Sequence, residues 1–183
     1  MIKSVDRYEF SSKDRILFDA NIWLFLDSPN PPNDAKVQQY SKAFKKILQA
    51  KCTIYVDVLI LSECINAYAR IRHKHFLKDN PNASSEYLNY KIYRNSSHFQ
   101  SVAEEIANFS RRIVSRCTRL DCPFNDMNMD ALFNDFEKNP RDFNDQILSE
   151  ICKLKKLLFI TDDSDFKECD FLILTANPRL LQS

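Results

Sequence analysis

Acidic side chains dominate the chemistry this sequence could perform. Asp19 closes a wholly apolar run, Ile16–Phe18, and is followed at once by another apolar run. Asp57 stands just past a second β-type run, Thr53–Val56, and Glu63 lies one to two turns further on. Asp145 falls at the start of an amphipathic stretch, and Asp162, Asp163 and Asp165 follow the apolar run Leu157–Thr161. Carboxylates brought together repel one another and are stable only with bound cations or shared protons. Hard divalent cations such as Mg2+ or Mn2+ prefer oxygen donors of this kind. Such ions serve phosphodiester hydrolysis by stabilising charge on the attacking and leaving oxygens. Each acid also has a structural use. Asp57 is placed to cap a helix, and Asp142 with Asp145 matches a loose capping box.

Other chemistries find less support. Glycine is absent, which excludes the phosphate-cradling loops of Walker-type and dinucleotide-binding proteins. Turns are expected to rely on Asn, Asp, Ser and Pro instead. His73 and His75 lie two apart, which on a helix separates them onto different faces and argues against zinc. No Ser–His or Cys–His arrangement is brought together by the motifs. A receiver domain would need an acidic pair after the first strand and a Lys after the last. A dehalogenase-like phosphatase would need Asp at position 21, which is Asn. The six cysteines form no CxxC pair, and a reduced, cytoplasmic protein with buried thiols is expected. No apolar run reaches the length of a membrane span.

The elements that must position the acids can be read from periodicity. Strands are expected at Ile16–Phe18, Thr53–Val56, Arg119–Cys122, Leu157–Thr161 and Phe171–Thr175. Asn30-Pro31-Pro32-Asn33 breaks the chain before a helix from Asp34 to Ala50, with Val37, Tyr40, Phe44, Ile47 and Leu48 at helical spacing. Asp57 caps a helix whose inner face carries Ile60, Cys64, Ala67, Tyr68 and Ile71. Two helices are expected between Ser84 and Val114, the second capped by Ser96 with Val102, Ile106, Phe109 and Ile113 inward. A short helix Met129–Phe136 ends at Asn139-Pro140, and another runs from Phe143 to Lys156 with Phe143, Ile147, Leu148 and Ile151 inward. Strands alternating with helices predict an α/β domain with a mostly parallel sheet. In such sheets ligands bind beyond the carboxyl ends of the strands. One domain spanning residues 1–183, with a helical insertion at about 75–115, is the economical organisation.

Charge is uneven although the net is only +1. Residues 70–119 hold ten Lys/Arg against four Asp/Glu, and residues 120–170 hold six against thirteen. An anionic centre beside a cationic surface suits a nucleic-acid backbone, with Arg70, Arg72, Arg111, Arg112 and Arg116 as candidate phosphate contacts.

Several segments together resemble the PIN-domain family, including the toxin nucleases of bacterial toxin–antitoxin pairs. ILFDANIWLFL (Ile16–Leu26) is similar to the family's opening strand, with Asp19 as its acid and Asn21 as the small polar residue two positions on. TIYVDVLILSECINAYARI (Thr53–Ile71) resembles the second strand and helix, placing the family's acid at Glu63. NDQILSEICKLKKLLFITDDSDF (Asn144–Phe166) resembles the third and fourth motifs, with Asp145 in the helix and Thr161 at the strand end. Asp163 falls where the fourth acid is expected and Asp165 where an Asp before Phe is common, which leaves two candidates for that role. FLILTANPRLL (Phe171–Leu181) resembles the terminal strand and Asn-Pro turn.

The resemblance implies a three-layer α/β/α fold with sheet order 3-2-1-4-5 and Mg2+- or Mn2+-dependent cleavage of single-stranded RNA. It implies catalytic roles for Asp19, Glu63, Asp145 and Asp163, metal ligation by Asp19, Asp145 and Asp163, and support from Asn21, Thr161 and Asp165. A cognate antitoxin and a second copy of the chain are the implied protein partners. The competing reading is a catalytically silent RNA- or protein-binding module of the same fold.

Overall fold

The computed structural model describes residues 1–27, 35–138, 142–167 and 169–182. The expected break at Asn30–Asn33, the first residue of its helix, Asp34, and the stop at Asn139-Pro140 lie outside the described residues. The strands are β1 (Ile2–Ser4), β2 (Arg15–Phe18), β3 (Thr53–Val56), β4 (Thr118–Arg119), β5 (Leu158–Ile160) and β6 (Ile173–Thr175). The α-helices are α1 (Ala20–Asp27), α2 (Ala35–Gln49), α3 (Val58–Asp79), α4 (Tyr90–Arg94), α5 (Gln100–Arg116), α6 (Met129–Lys138), α7 (Phe143–Lys155) and α8 (Pro178–Leu181).

All strand pairs are parallel, in the order β1-β6-β5-β2-β3-β4. Ile16, Leu17 and Phe18 of β2, and all of β5 and β6, are buried. Strands covered on both faces read as continuous apolar runs, as these do. The β2–β6 set reproduces the expected 3-2-1-4-5 arrangement, and β1 adds a strand beyond β6. Right-handed crossovers put the helices between β2 and β4 on one face and α6–α7 on the other. The packing follows this division: α1 meets α2 and α3, α3 meets α5, and α6 meets α7.

The helices show why the sequence folds locally as it does. Asp57 caps α3, its Oδ1 accepting from the backbone N–H of Leu59 (2.9 Å) and Ile60 (3.0 Å). The inner face of α3 is Ile60, Cys64, Tyr68, Ala69 and His73, so Ala67 and Ile71 lie only at its margin. The stripe Val102, Ile106, Phe109 and Ile113 of α5 is buried as its spacing predicts.

Ser96 does not cap α5. Phe99 precedes the first residue of α5, and the Ser96 hydroxyl donates instead to the Tyr93 carbonyl (2.7 Å). The stretch read as two helices contains α4, α5 and two 3-10 turns, Ser85–Leu88 and Ser97–Phe99. Its short pieces are held against the far end of α3 by an aromatic cluster in which Tyr93 stacks on His73 (4.7 Å) and contacts Phe76 (4.8 Å). The strand expected at Arg119–Cys122 is only Thr118–Arg119.

Glycine-free turns are solved in an unexpected way. Lys51 (φ 57°) and Lys156 (φ 52°) are left-handed. Each ends a helix: Cys52 N–H donates to Ile47 and Leu157 N–H to Cys152, the wide carbonyl bond of a Schellman turn.

Candidate active site

The strand order reverses at β2. From it the chain proceeds to β3 and β4 on one side, and later to β5 and β6 on the other. The crevice beyond the carboxyl ends of β2 and β5 is therefore the topological switch point, where α/β sheets bind ligands. The Asp19 N–H donates to the Ile160 carbonyl (3.0 Å), extending the β2–β5 ladder one residue and setting Asp19 beside Thr161.

Asp19 and Thr161 are both buried. Asp19 Oδ1 accepts from the Ala20 N–H (2.6 Å), and Oδ2 accepts from Asn21 Nδ2 (2.6 Å) and the Thr161 hydroxyl (2.5 Å). Thr161 Oγ1 in turn accepts the Asp163 N–H (2.9 Å), and Asn21 Oδ1 accepts the Asp162 N–H (3.3 Å). Asn21 and Thr161 thus tie the start of α1 to the segment that leaves β5. Asp163 caps the 3-10 turn Ser164–Phe166, its Oδ1 accepting from the Asp165 N–H (3.0 Å).

The third segment is the start of α7. Asp142 caps this helix through the Asn144 N–H (2.8 Å), and Asp145 follows in its first turn, half-buried. Carboxylate oxygens of Asp145, Asp163 and Asp165 all lie within 4.8 Å of one another. The structure thereby places both candidates for the fourth acid, Asp163 and Asp165, in one group with Asp145.

Electrostatics ties Asp19 and Glu63 to that group. Burial, with repulsion from Glu63 and Asp163, outweighs the hydrogen bonds from Thr161 and Ala20 and pushes the Asp19 carboxyl up to about 7. Burial and then repulsion from Asp19, Asp142, Asp163 and Asp165 push Asp145 up to about 7. Glu63 is solvent-exposed as a residue, yet its carboxyl is flanked by protein. Burial and the charges of Asp145, Asp142 and Asp163 raise it as well. Asp57 stays apart, as the buried cap of α3.

The donor set fits a hard cation. Three carboxylates converge and five acids are crowded enough to raise three of their pKa values. A dication removes that repulsion and takes the oxygen donors these residues offer.

Sequence reasoning missed the frame behind the acids. Tyr40 of α2 was expected only as a core residue. Its buried hydroxyl lies 2.9 Å from Asp162 Oδ1, 3.2 Å from the Thr161 carbonyl and 3.4 Å from Thr175 Oγ1, and it accepts the Ala176 N–H (2.9 Å). Lys36 pairs with Asp162 Oδ2 (2.5 Å), and Asn177 Nδ2 donates to the Asp162 carbonyl (2.6 Å). A Tyr at an inward helical position was the available signal, since a buried phenol needs partners.

The five arginines have different partners, and two of them are paired with carboxylates. Arg72 pairs with Glu105 (3.1 Å) and Arg112 with Asp27 (2.5 Å). Arg111 donates to Asn108 (2.8 Å), Arg116 lies over the Phe44 ring, and Arg70 lies over the Tyr90 ring.

No family model matches the chain, and no curated protein aligns with it significantly. Among solved structures, the chain is similar to a chain of VapBC2 from Rickettsia felis, a complex bound to a DNA fragment from their promoter. The superposition covers 87% of this chain and 96% of that one, with a TM-score of 0.53 and 15% identity. The likeness speaks for the fold: a parallel sheet between helical layers, the PIN-like α/β/α arrangement.

Proposed function

We propose that this chain is a Mg2+- or Mn2+-dependent endoribonuclease that hydrolyses single-stranded RNA. The observation that carries the reading is the meeting of Asp19, Glu63, Asp145, Asp163 and Asp165 at the switch point of the sheet, four of its segments contributing acids that repel one another. Asp145, Asp163 and Asp165 would hold the cation. Asp19 adds the spare lone pair of Oδ1 and anchors the group through Asn21 and Thr161. When bound, the cation supplies positive charge where the attacking and leaving oxygens of a phosphodiester become negative. Glu63, exposed and close to Asp145, is placed to orient the attacking water by hydrogen bonding. Hydrolysis proceeds by attack of water without a covalent intermediate: the Thr161 hydroxyl, which donates to Asp19, is fully buried and is not presented to a substrate. The basic stretch 70–119 supplies contacts to the RNA backbone.

Partners follow from the same reading. The similar solved chain belongs to VapBC2, which is bound to a DNA fragment from their promoter. A cognate antitoxin that binds DNA, and a second copy of this chain, are accordingly proposed here.

Cleavage of a fluorescent single-stranded RNA by purified protein tests the proposal. EDTA should stop cleavage, and Mg2+ or Mn2+ should restore it. Asp145→Asn keeps the side chain's shape and leaves the Asp142 cap in place, so it should abolish cleavage while the protein stays folded. Equal rates in EDTA, or wild-type rates in Asp145→Asn, would replace this reading with that of a silent binding module.

A further inference from the structure

The exposed face of α3 leads away from the acids and changes character along its length. From Ser62 to the end of the helix the exposed residues are Ser62, Glu63, Asn66, Arg70, Lys74, Lys78 and Asp79, the last turned about 160° round the helix from Glu63. At about 100° per residue, Arg70 and Lys74 point within about 20° of Glu63 and Lys78 within about 60°. At 1.5 Å per residue they stand roughly 10, 16 and 22 Å beyond it. The helix thus presents one carboxylate at the crevice and then a row of three cations.

Two further observations separate this row from an ordinary solvated face. First, no carboxylate among the described residues pairs with Arg70, Lys74 or Lys78, whereas Arg72 on the opposite side of α3 and Arg112 on α5 are both neutralised. Second, the Arg70 guanidinium is held 5.2 Å from the Tyr90 ring centroid, so α4 fixes the first cation of the row in place.

We propose that this row is the track that a single-stranded RNA follows from the carboxylates, its phosphates seated on Arg70, Lys74 and Lys78. The inference rests on the ribonuclease reading and deepens it. Its charge fits a polyanion, and its length of about 22 Å fits a strand of several nucleotides rather than a mononucleotide. Substrates too short to reach Lys78 are bound weakly.

The test is a triple variant, Arg70→Gln with Lys74→Gln and Lys78→Gln. A remote triple, Lys13→Gln with Lys42→Gln and Lys45→Gln, removes the same charge elsewhere. Binding of a fluorescent oligouridylate is measured by anisotropy over a salt series in the Asp145→Asn background, and cleavage in the otherwise native chain. Three lost phosphate contacts should reduce the log–log salt slope by about 2, because each contributes about 0.7 on a single strand. Affinity should fall at least tenfold at low salt, and KM should rise with kcat little changed. The remote triple should change the slope by less than one contact's worth. Unchanged slope and KM in the α3 triple, with the parent still cleaving, would overturn the track and leave the ribonuclease reading standing. A parent that neither binds nor cleaves single-stranded RNA would overturn both. Loss of binding to an acidic partner protein, with RNA binding intact, would reassign the face to that partner.

Discussion

Burial and crowding act in the same direction on Asp19, and the consequence is a pH dependence of stability. Its carboxyl titrates near 7 in the folded chain and near 4 in the unfolded chain. The folded state therefore holds a proton that the unfolded state has released between those values, and ∂ΔG/∂pH is negative there. The stabilisation is complete below about pH 4 and is lost as pH rises through 7. The interval corresponds to at most about 4 kcal/mol for this nearly inaccessible group. Asp145 adds in the same sense. In EDTA, melting temperature should fall between pH 5 and pH 8, and Asp19→Asn should flatten that fall. An undiminished fall in the variant would mean that Asp19 is not the group responsible. At this scale the acids themselves were legible, because Asp19 ends an apolar run and Thr161 ends another. Tyr40 was legible only as a core residue, and Asp162 only as one acid of the group that follows β5. Their role appears only when α2, β5 and β6 meet, and no local spacing records that meeting.

The elements carry their own lesson in Lys51 and Lys156. Left-handed backbone is unfavourable for a residue with a Cβ by about 1–2 kcal/mol, while glycine loses more entropy on folding. Lys51→Gly and Lys156→Gly should each stabilise the chain by about 0.5–1 kcal/mol, measured by urea unfolding. A loss of stability would show that the Lys side chains make contacts worth more than the strain.

The same turns explain part of what the sequence concealed. With no glycine, neither helix end is marked by the usual residue. Long periodic elements such as α5 were readable, and so was the Asp57 cap. By contrast, α1 is apolar on most sides and has no polar stripe to reveal it. The strand β1 has only three residues, at the sheet edge and partly exposed. Before the terminal helix α8, Asn177 accepts from the Arg179 N–H with Pro178 at the first helical position. That signature was present but was read as a turn.

For the whole molecule, the crowded acids make folding and cation binding one equilibrium. A ligand bound only by the folded state stabilises it by about 2.7 kcal/mol when present at a hundred times its Kd. Mn2+ should raise the melting temperature at pH 8 by several degrees. Asp163→Asn combined with Asp165→Asn should remove that rise while leaving the metal-free melting temperature at pH 8 equal or higher, because repulsion is relieved. An equal rise in the double variant would place the cation elsewhere.

The pairing of Ile2–Ser4 with Ile173–Thr175 has a temporal meaning. During synthesis β1 is made long before β6, and that edge can close only once Ile173–Thr175 have emerged. Asp19 and Glu63 likewise emerge long before Asp145, Asp163 and the Thr161 hydroxyl that holds Asp19. Non-local parallel pairing of this kind is slow to form. Under the reading proposed here, the cutting centre cannot assemble until the segment from Asp145 to Asp165 has been made. The order of the strands thereby sets a delay between the synthesis of the first acids and the completion of the centre.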